Sequence, residues 1–344
     1  MIDFHRLIIE WYRLNARSLP WRETKKPYYI WLSEVILQQT KVEQGVGYYL
    51  KFINHYPSVL DLAKATEEQV LNDWQGLGYY SRARNLHASA KMIVDNFNGV
   101  FPRDYKDVLS LKGVGEYTAA AITSFSYGSP YAVLDGNVFR VLSRVFDIDL
   151  PIDSIKGKKF FKELSQSLLP EGNSAEYNQA IMDFGAMQCK PKNPNCFSCV
   201  LQDRCISYSN GVVEDRPLKS KKIKVTNRYF NYLILTQGDA VFLKKRVEKD
   251  IWQHLYEFPM IETNDLSSLD DLKELIFSEF SCSPKKMKSL KKHILSHQHI
   301  YANFIFFDID YHGASDGLIK VEKSDLQNFP LPRLIDRFLI DNTL

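Results

Sequence analysis

The sequence lacks any long apolar run: no stretch of its 344 residues approaches the roughly 20 apolar residues that a membrane-spanning helix needs. It also lacks internal repeats and low-complexity tracts. With 45% hydrophobic and 25% charged residues, the composition excludes disordered, collagen-like and coiled-coil chains. We therefore expect a globular protein that contacts no membrane, and the length favours two or three domains.

Cysteine is scarce and unevenly placed. Four of the five cysteines lie between Cys189 and Cys205, which excludes a disulfide framework. The N-terminal residues mix charged side chains with apolar ones at helical spacing, unlike a signal or transit peptide. We therefore expect a cytoplasmic protein.

Charge is nearly balanced, with 44 basic and 41 acidic residues and a net charge of +3. Residues 226–344 carry 15 basic and 17 acidic side chains, so residues 1–225 carry 29 and 24. The modest basic excess of the first part fits an anionic partner.

The spacing of apolar residues changes near residue 209. In residues 1–190 they recur three and four positions apart between short Gly, Pro and Asn breaks, which predicts a succession of helices. Residues 209–227 are polar and Lys-rich, as a linker is. Beyond them, the predicted elements are strands over Tyr229–Leu235, Ala240–Leu243 and Tyr301–Ile309 and helices at about 267–280 and 331–340. The sequence thus predicts an all-α domain over residues 1–208 and a smaller α+β domain over residues 228–344.

The clustered cysteines indicate a metal centre. Cys189, Cys196, Cys199 and Cys205 are separated by six, two and five residues, and thiolates so close together bind metals in a reducing compartment. Structural zinc usually pairs its ligands in two short Cys-x2–4-Cys turns, whereas here one tight pair is flanked by two longer loops. The spacing therefore favours a [4Fe–4S] cluster, with zinc as the alternative.

Two glycines enclose one apolar residue at Gly113-Val114-Gly115, inside a helix–turn–helix predicted at about 104–127. Glycine allows a positive φ and a close approach to a ligand. The amides at the start of the following helix can then bind a phosphate oxygen. An ordinary tight turn between helices is the alternative.

The order of the motifs resembles a known family. The glycine hairpin precedes Val133–Val138 (VLDGNV) and then the cysteine loop of residues 189–205, as in the helix-hairpin-helix DNA glycosylases of the endonuclease III superfamily. Three further segments resemble the MutY-type adenine DNA glycosylases of that superfamily: Arg17–Arg22 (RSLPWR), Ser33–Thr40 (SEVILQQT) and Gly76–Arg82 (GLGYYSR). The resemblance implies base excision from DNA by a helical domain with an iron–sulfur loop.

Two carboxylates fit the chemistry of that family. Glu34 shares a helix face with Trp31 and Leu37, so desolvation should raise its pKa, although a solvated surface Glu is the alternative. Asp135 is predicted to be a helix N-cap, a position that keeps a carboxylate ionised. Cleavage of an N-glycosidic bond uses one acid and one carboxylate. By resemblance, Glu34 protonates adenine N7 and Asp135 faces the oxocarbenium ion.

Tyr117 stands where bifunctional relatives carry a lysine, whose amine forms a Schiff base with the sugar and leads to strand cleavage. Because a phenol cannot form an imine, Tyr117 predicts a monofunctional enzyme that uses water; packing at a helix start is the alternative. The resemblance makes Tyr117 and Asn137 accessory catalytic residues.

An adenine inside a duplex must be flipped out, and a side chain must fill the gap. Tyr79, in the glycine-rich turn Gly76–Arg82, is the predicted wedge, with core packing as the alternative. The resemblance adds Gln39 as a second wedge and assigns four residues to the adenine pocket: Arg17, Trp21, Leu37 and Gln179. Gly113, Gly115 and Arg82 are predicted to contact the DNA backbone, although an Arg on a helix is commonly only solvated.

Residues 226–344 resemble the Nudix-related domain with which adenine glycosylases recognise 8-oxoguanine. Trp252–Pro259 (WQHLYEFP) is similar to the family's Gly-Leu-Trp-Glu-Phe-Pro, with His254 in place of the Gly and Tyr256 in place of the Trp. The Arg-Glu-x2-Glu-Glu motif of Nudix hydrolases is missing, so nucleotide hydrolysis is not expected.

A second segment of this domain is similar to the family's Phe-Ser-His loop, with Leu295 in place of the Phe. The resemblance assigns 8-oxoguanine recognition to Ser296 and His297. The lysines before it, which can follow a phosphate backbone or be merely solvated, are Lys285, Lys286, Lys288, Lys291 and Lys292. The neighbouring histidines lack a carboxylate partner, so zinc is not favoured here.

The sequence therefore predicts a monomeric adenine DNA N-glycosylase with a [4Fe–4S] cluster, associated with the nucleoid if the protein is bacterial. Its predicted substrate is double-stranded DNA with adenine mispaired with 8-oxoguanine or guanine, and its predicted product is an abasic site. The alternatives are a glycosylase for another damaged or mispaired base, a non-catalytic DNA-binding module, and a Nudix hydrolase with a helical appendix. Glu34 and Asp135 argue against the DNA-binding module.

Overall fold

The computed structural model describes residues 2–220, 224–272, 286–309 and 317–342. These residues form two compact units. The first comprises the described residues of Met1–Ala65 and Asn85–Lys222, and the second comprises those of Thr66–Arg84 and Ile223–Leu344. Thr66–Arg84 thus belongs to the second unit although it lies in the helical part of the sequence. The predicted domain limits follow the order of the chain and stay a prediction.

The helical part confirms the helices predicted from apolar spacing. Its helices are α1 (Ile2–Asn15), α2 (Pro27–Ile36), α3 (Val42–His55), α4 (Val59–Lys64), α5 (Glu67–Asp73), α6 (Ser81–Phe97), α7 (Tyr105–Ser110), α8 (Glu116–Tyr127), α9 (Gly136–Val145), α10 (Ile155–Ser167), α11 (Ser174–Asp183) and α12 (Ile206–Ser209). A turn of π-helix, Phe184–Gln188, continues α11. Among the residues that the structure describes, no helix is long and apolar enough to cross a membrane.

The core of the first unit explains how its helices place the site. Ile8 and Trp11 of α1 are buried against α11, and the rings of Trp11 and Phe184 meet edge to face at 5.1 Å. Val138 and Leu142 of α9 lie in the same core. Because apolar residues four positions apart share one face of a helix, this packing fixes both the axis and the first turn of α9.

The second unit contains a mixed sheet. Its strands are β1 (Thr226–Gln237), β2 (Ala240–Lys245), β3 (Tyr256–Glu257), β4 (Met260–Thr263), β5 (Lys286–Ile294), β6 (Gln298–Asp308) and β7 (Leu318–Glu322). The order is β3-β2-β1-β6-β5, with β4 also paired to β1 and β7 to β2. β1 and β6 are parallel, from Thr226 opposite Gln298 to Thr236 opposite Asp308, and the other pairs are antiparallel.

The helix α13 (Arg333–Asp341) packs on one face of this sheet, where Phe338 stacks on Phe304 at 3.7 Å. The predicted hairpin, the strand near 301–309 and the helix near 331–340 are confirmed. The helix predicted at about 267–280 falls mostly outside the described residues.

Candidate active site

A cavity of about 590 Å³ in the first unit collects the predicted catalytic and pocket residues of that unit. They come from segments far apart in the sequence and meet where α2, α8, α9 and α11 approach one another. The residues that line it include Arg17, Trp21, Glu34, Leu37, Gln39, Tyr117, Asp135, Asn137 and Gln179.

Glu34 is a buried carboxyl on α2, with a side chain only 8% exposed. Burial is the main reason that its pKa rises to about 7, and the negative charge of Asp135 raises it further. A hydrogen bond with Tyr117 and the charge of Arg22 act in the opposite direction. The predicted desolvation is confirmed, and the group carries a proton in a large fraction of molecules near neutral pH.

Asp135 is the N-cap of α9, as predicted. Its carboxylate accepts hydrogen bonds from the backbone amides of Asn137 at 2.9 Å and Val138 at 2.8 Å, and from the Asn137 side-chain amide at 2.8 Å. Burial nevertheless raises its pKa above the usual value, while these donors hold the increase down. The sequence predicted the hydrogen-bond donors that keep Asp135 ionised but not the burial that raises its pKa.

Tyr117, on the first turn of α8, is hydrogen-bonded to Glu34 and lies 3.4 Å from Met182 Sδ through its hydroxyl. Burial and the nearby carboxylates raise its pKa well above the ordinary value, so the phenol keeps its proton. It therefore holds the Glu34 carboxyl in place as a neutral donor.

An ion-pair cluster that sequence reasoning missed holds one edge of the cavity. Asp183 is fully buried and accepts hydrogen bonds from Arg17 and from both terminal nitrogens of Arg22. Burial alone would raise the pKa of Asp183, but the two guanidinium groups outweigh it and the pKa is lowered. The sequence carries no local signal for this cluster, because the residues four and seven positions before Asp183 are the polar Gln179 and Glu176. A hydrogen bond also orients Gln179, whose side-chain oxygen accepts from the Tyr12 hydroxyl at 2.8 Å.

Arg140 is a buried arginine for which the sequence predicted no role. Its guanidinium donates to the Asn137 side-chain oxygen at 2.8 Å, the Gly185 carbonyl at 2.6 Å and the Cys189 carbonyl at 2.8 Å. A Cβ on Gly185 would lie 2.7 Å from Asn137 Cβ, so only glycine allows this approach. Arg140 thus ties Asn137 to the start of the cysteine loop.

Both predicted wedge residues are exposed and have left-handed backbone conformations. Gln39 follows α2 with φ 58°, and Tyr79 has φ 49° and is 45% exposed, which excludes the core-packing alternative. Such angles are costly for residues other than glycine and persist where the surroundings impose them. In the second unit, the hydroxyls of Tyr79 and Ser296 are hydrogen-bonded to each other.

The glycine hairpin joins α7 to α8. Gly113 has φ 77°, and a Cβ there would lie 2.9 Å from Asn85 Cβ, so the turn requires glycine. Gly115 is the N-cap of α8 and offers no side chain to the first amides of the helix. Both glycines are exposed, an arrangement suited to binding a phosphate.

Arg82 is not on the surface. Its guanidinium donates to the Gly78 carbonyl at 3.1 Å and lies 5.0 Å from the centre of the Trp74 ring, and burial lowers its pKa to about 10. The side chain therefore supports the turn that carries Tyr79, and its predicted contact with DNA stays a prediction.

The four clustered cysteines line one cavity of about 20 Å³. Arg144 Nη1 lies 3.5 Å from Cys189 Sγ, and the Leu201 amide lies 3.4 Å from Cys199 Sγ. Burial raises the pKa of Cys199 to about 11. Over the described residues, no three His, Cys, Asp or Glu side chains form a group that could hold a single metal ion.

The predicted lesion-recognition residues form the turn between β5 and β6. Ser296 and His297 are exposed, while Leu295 packs against the core of the second unit. Of the neighbouring lysines, Lys286 lies on β5 and Lys285 lies outside the described residues. Sequence spacing did not predict β5.

The chain is similar to known base-excision proteins. The model of the HhH-GPD superfamily base excision DNA repair proteins matches residues 32–168, and that of the NUDIX domain matches residues 231–341. The adenine DNA glycosylase of Buchnera aphidicola subsp. Baizongia pistaciae (strain Bp) is 36% identical over 312 residues, which cover 89% of this chain and 86% of that protein.

Two solved structures are similar to the helical part. A thermostable thymine-DNA glycosylase is 31% identical with a TM-score of 0.57, covering 60% of this chain and 96% of that one. A non-covalent endonuclease III–DNA complex has a TM-score of 0.53 at 23% identity, covering 61% of this chain and 96% of that one, and shows the shared fold.

Proposed function

This chain belongs to the adenine DNA glycosylase family, and from that premise we propose that it hydrolyses the N-glycosidic bond of adenine opposite 8-oxoguanine in duplex DNA. As a member it is a DNA N-glycosylase with a helical base-excision domain followed by a smaller Nudix-like domain. The family, enzyme class and fold class predicted from the sequence are thereby confirmed. The base opposite the adenine and the use of water belong to the proposal.

The observation that carries the proposal is the pairing of two different carboxyl groups in one cavity. Glu34, with a pKa near 7, donates a proton to the adenine ring and makes it a neutral leaving group. Asp135, fixed by three donors, stabilises the positive charge that develops on the sugar. Tyr117 holds Glu34 and offers no amine, so water completes the reaction and an abasic site remains.

Recognition is assigned to groups on both units. The amides at the start of α8, which the N-cap Gly115 leaves without a side-chain cap, bind a phosphate of the duplex. Tyr79 and Gln39 fill the space left by the extruded adenine. Ser296 and His297 hydrogen-bond the oxidised guanine, which differs from guanine at C8 and N7. Arg17, Trp21, Leu37 and Gln179 enclose the flipped base.

A panel of duplexes tests the proposed substrate. Each duplex places adenine, thymine or uracil opposite 8-oxoguanine or guanine, and excision is measured in a single turnover. We expect excision of adenine, faster opposite 8-oxoguanine than opposite guanine. Because a thymine-DNA glycosylase shares the helical fold, preferential release of thymine would favour that second candidate.

The raised pKa of Glu34 predicts a pH dependence. The acid works only while it is protonated, so the excision rate should fall about tenfold per pH unit above about pH 7. Asp135 must be ionised, so the rate should also fall on the acid side of the optimum. The measurement is the single-turnover rate at saturating enzyme between about pH 5 and about pH 9. A rate that rises steadily with pH would contradict the assignment of Glu34 as the acid.

We also propose that the cysteine loop holds a [4Fe–4S] cluster. The four thiols share one cavity, are separated by six, two and five residues, and have the Arg144 guanidinium beside them, whose charge suits a group of thiolates. Cys189, Cys196, Cys199 and Cys205 would hold the cluster. When bound, it would cross-link the loop of residues 189–205 through iron–sulfur bonds, a structural contribution remote in sequence from Glu34 and Asp135.

The proposed cluster predicts the metal content of the purified protein. The purified protein should be yellow-brown with about four irons per chain, and Cys199→Ser should lower both the iron content and the melting temperature. Iron and zinc are measured by elemental analysis on the same samples. Stoichiometric zinc in a colourless protein would overturn the cluster assignment.

A further inference from the structure

The two residues that differ from the family's Gly-Leu-Trp-Glu-Phe-Pro motif, His254 and Tyr256, contact two neighbouring carboxylates. His254, in place of the Gly, places Nδ1 2.5 Å from the carboxylate of Glu67. Tyr256, in place of the Trp, donates from its hydroxyl to Glu68 at 2.6 Å. All four residues belong to the second unit. A Gly at position 254 has no side chain to contact Glu67, and the hydroxyl that contacts Glu68 is supplied by Tyr256.

The backbone of His254 is strained. Its φ is 67°, in the left-handed region that glycine adopts freely and that is unfavourable for a residue with a side chain. The family's glycine suits this angle, whereas the histidine keeps it at a cost. The hydrogen bond between the imidazole and Glu67, which a glycine could not form, offsets that cost.

Further bonds join the same two segments. Lys245 Nζ lies 2.7 Å from Glu68, and Lys245 and Tyr256 hold the pKa of Glu68 below its usual value. Arg84 donates to the Gln253 carbonyl at 2.7 Å, next to His254. We use the name clamp for these contacts together with the His254–Glu67 and Tyr256–Glu68 hydrogen bonds.

The segment held by the clamp carries the wedge residue. Tyr79 follows α5 by six residues and is hydrogen-bonded to Ser296 in the loop proposed to read the lesion. The next residue, Tyr80, donates to the Leu331 carbonyl at 3.2 Å. Tyr79 and the turn that carries Ser296 thus lie in one compact unit, although more than 200 residues separate them in the sequence.

We infer that His254 and Tyr256 are positioning residues. They hold Thr66–Arg84, the segment that carries Tyr79, in place relative to the β5–β6 turn with Ser296 and His297. Binding of 8-oxoguanine by Ser296 then directly favours insertion of Tyr79. The inference rests on the proposed function. It assigns to His254 and Tyr256 a role in discriminating 8-oxoguanine from guanine.

Three variants test the clamp without disturbing the core. His254→Gly removes the contact and relieves the strained φ, Tyr256→Phe removes only the hydroxyl, and Glu67→Gln removes the charge. Glu248→Gln is the matched control, because Glu248 is an exposed carboxylate of the same unit outside the clamp. The readout is the ratio of single-turnover excision rates for adenine opposite 8-oxoguanine and opposite guanine.

We expect each clamp variant to lower this ratio by roughly threefold to tenfold, while the control keeps it. Because His254 and Glu67 contact each other, the double variant should lower the ratio no further than either single change. Unchanged ratios in all three variants, or fully additive effects for His254 and Glu67, would overturn the inference. Wild-type protein with no preference would instead overturn the proposed recognition of 8-oxoguanine, and the inference with it.

Hydrogen exchange provides a readout that does not depend on activity. Amides of α5 should exchange faster in His254→Gly and Tyr256→Phe than in the wild type, because local opening costs less without the clamp. Equal exchange in the wild type and both variants would show that these residues do not hold the segment, whatever the enzyme excises.

Discussion

Glu34→Gln is expected to lower the single-turnover rate of adenine excision by roughly 10²–10⁴-fold while leaving DNA binding nearly intact. The amide matches the carboxyl in shape but cannot deliver a proton to the leaving base. Its surroundings otherwise stay the same: α2 keeps its packing and the Tyr117 hydroxyl keeps an acceptor. The rate and the dissociation constant are measured on the same duplex, at one salt concentration, because phosphate contacts dominate affinity.

Stability provides the control for this variant. Because burial raises the pKa of Glu34, the folded protein resists ionising it, and this destabilises the folded state once the pH exceeds the ordinary glutamate value. The neutral Gln avoids that cost, so the melting temperature should not fall at neutral pH. Glu43→Gln, the same change at an exposed site on α3, should leave the rate unchanged. Excision by Glu34→Gln within tenfold of the wild type would remove Glu34 from the mechanism.

Asp135→Asn is expected to lower the excision rate by roughly 10²–10³-fold, because it removes the negative charge that stabilises the cationic sugar. The substitution also places an amide donor opposite the side-chain amide of Asn137, which weakens the cap of α9. Asp135→Ser separates the two effects, since serine caps a helix well without carrying charge. Both variants should lose activity while Asp135→Ser keeps the melting temperature within a few degrees of the wild type. Wild-type rates in either variant would contradict the role of Asp135.

Local patterns predicted local structure well. Apolar residues three and four apart predicted the helices, and alternation around Gln237-Gly238-Asp239 predicted the β1–β2 hairpin. The apolar neighbours of Glu34 predicted its desolvation, because a helix face can be drawn from sequence alone. Asp135 was recognisable as an N-cap for the same reason: the acceptor and its amides are within three residues.

Long-range contacts could not be predicted in this way. The ion pair of Arg17 with Asp183 joins residues 166 positions apart, and the contact of Glu67 with His254 joins residues 187 apart. Neither partner carries a local signal of the other. For the same reason the contacts that group Thr66–Arg84 with the second unit could not be predicted from the order of the chain. Arg82 was predicted to contact the DNA backbone, with a solvated helix face as the alternative, and nothing in the sequence indicated that the turn around Gly78 encloses its guanidinium.

The most direct test of the central claim uses one duplex with a single adenine opposite 8-oxoguanine. The purified protein is incubated with it, and half of each sample is treated with hot alkali before the strands are separated by size. Hydrolysis at the adenine through Glu34 and Asp135 predicts a cut at that position only in the alkali-treated half, and no covalent adduct after borohydride reduction. An intact adenine strand after alkali would contradict the account, and a cut without alkali would contradict the monofunctional mechanism inferred from Tyr117.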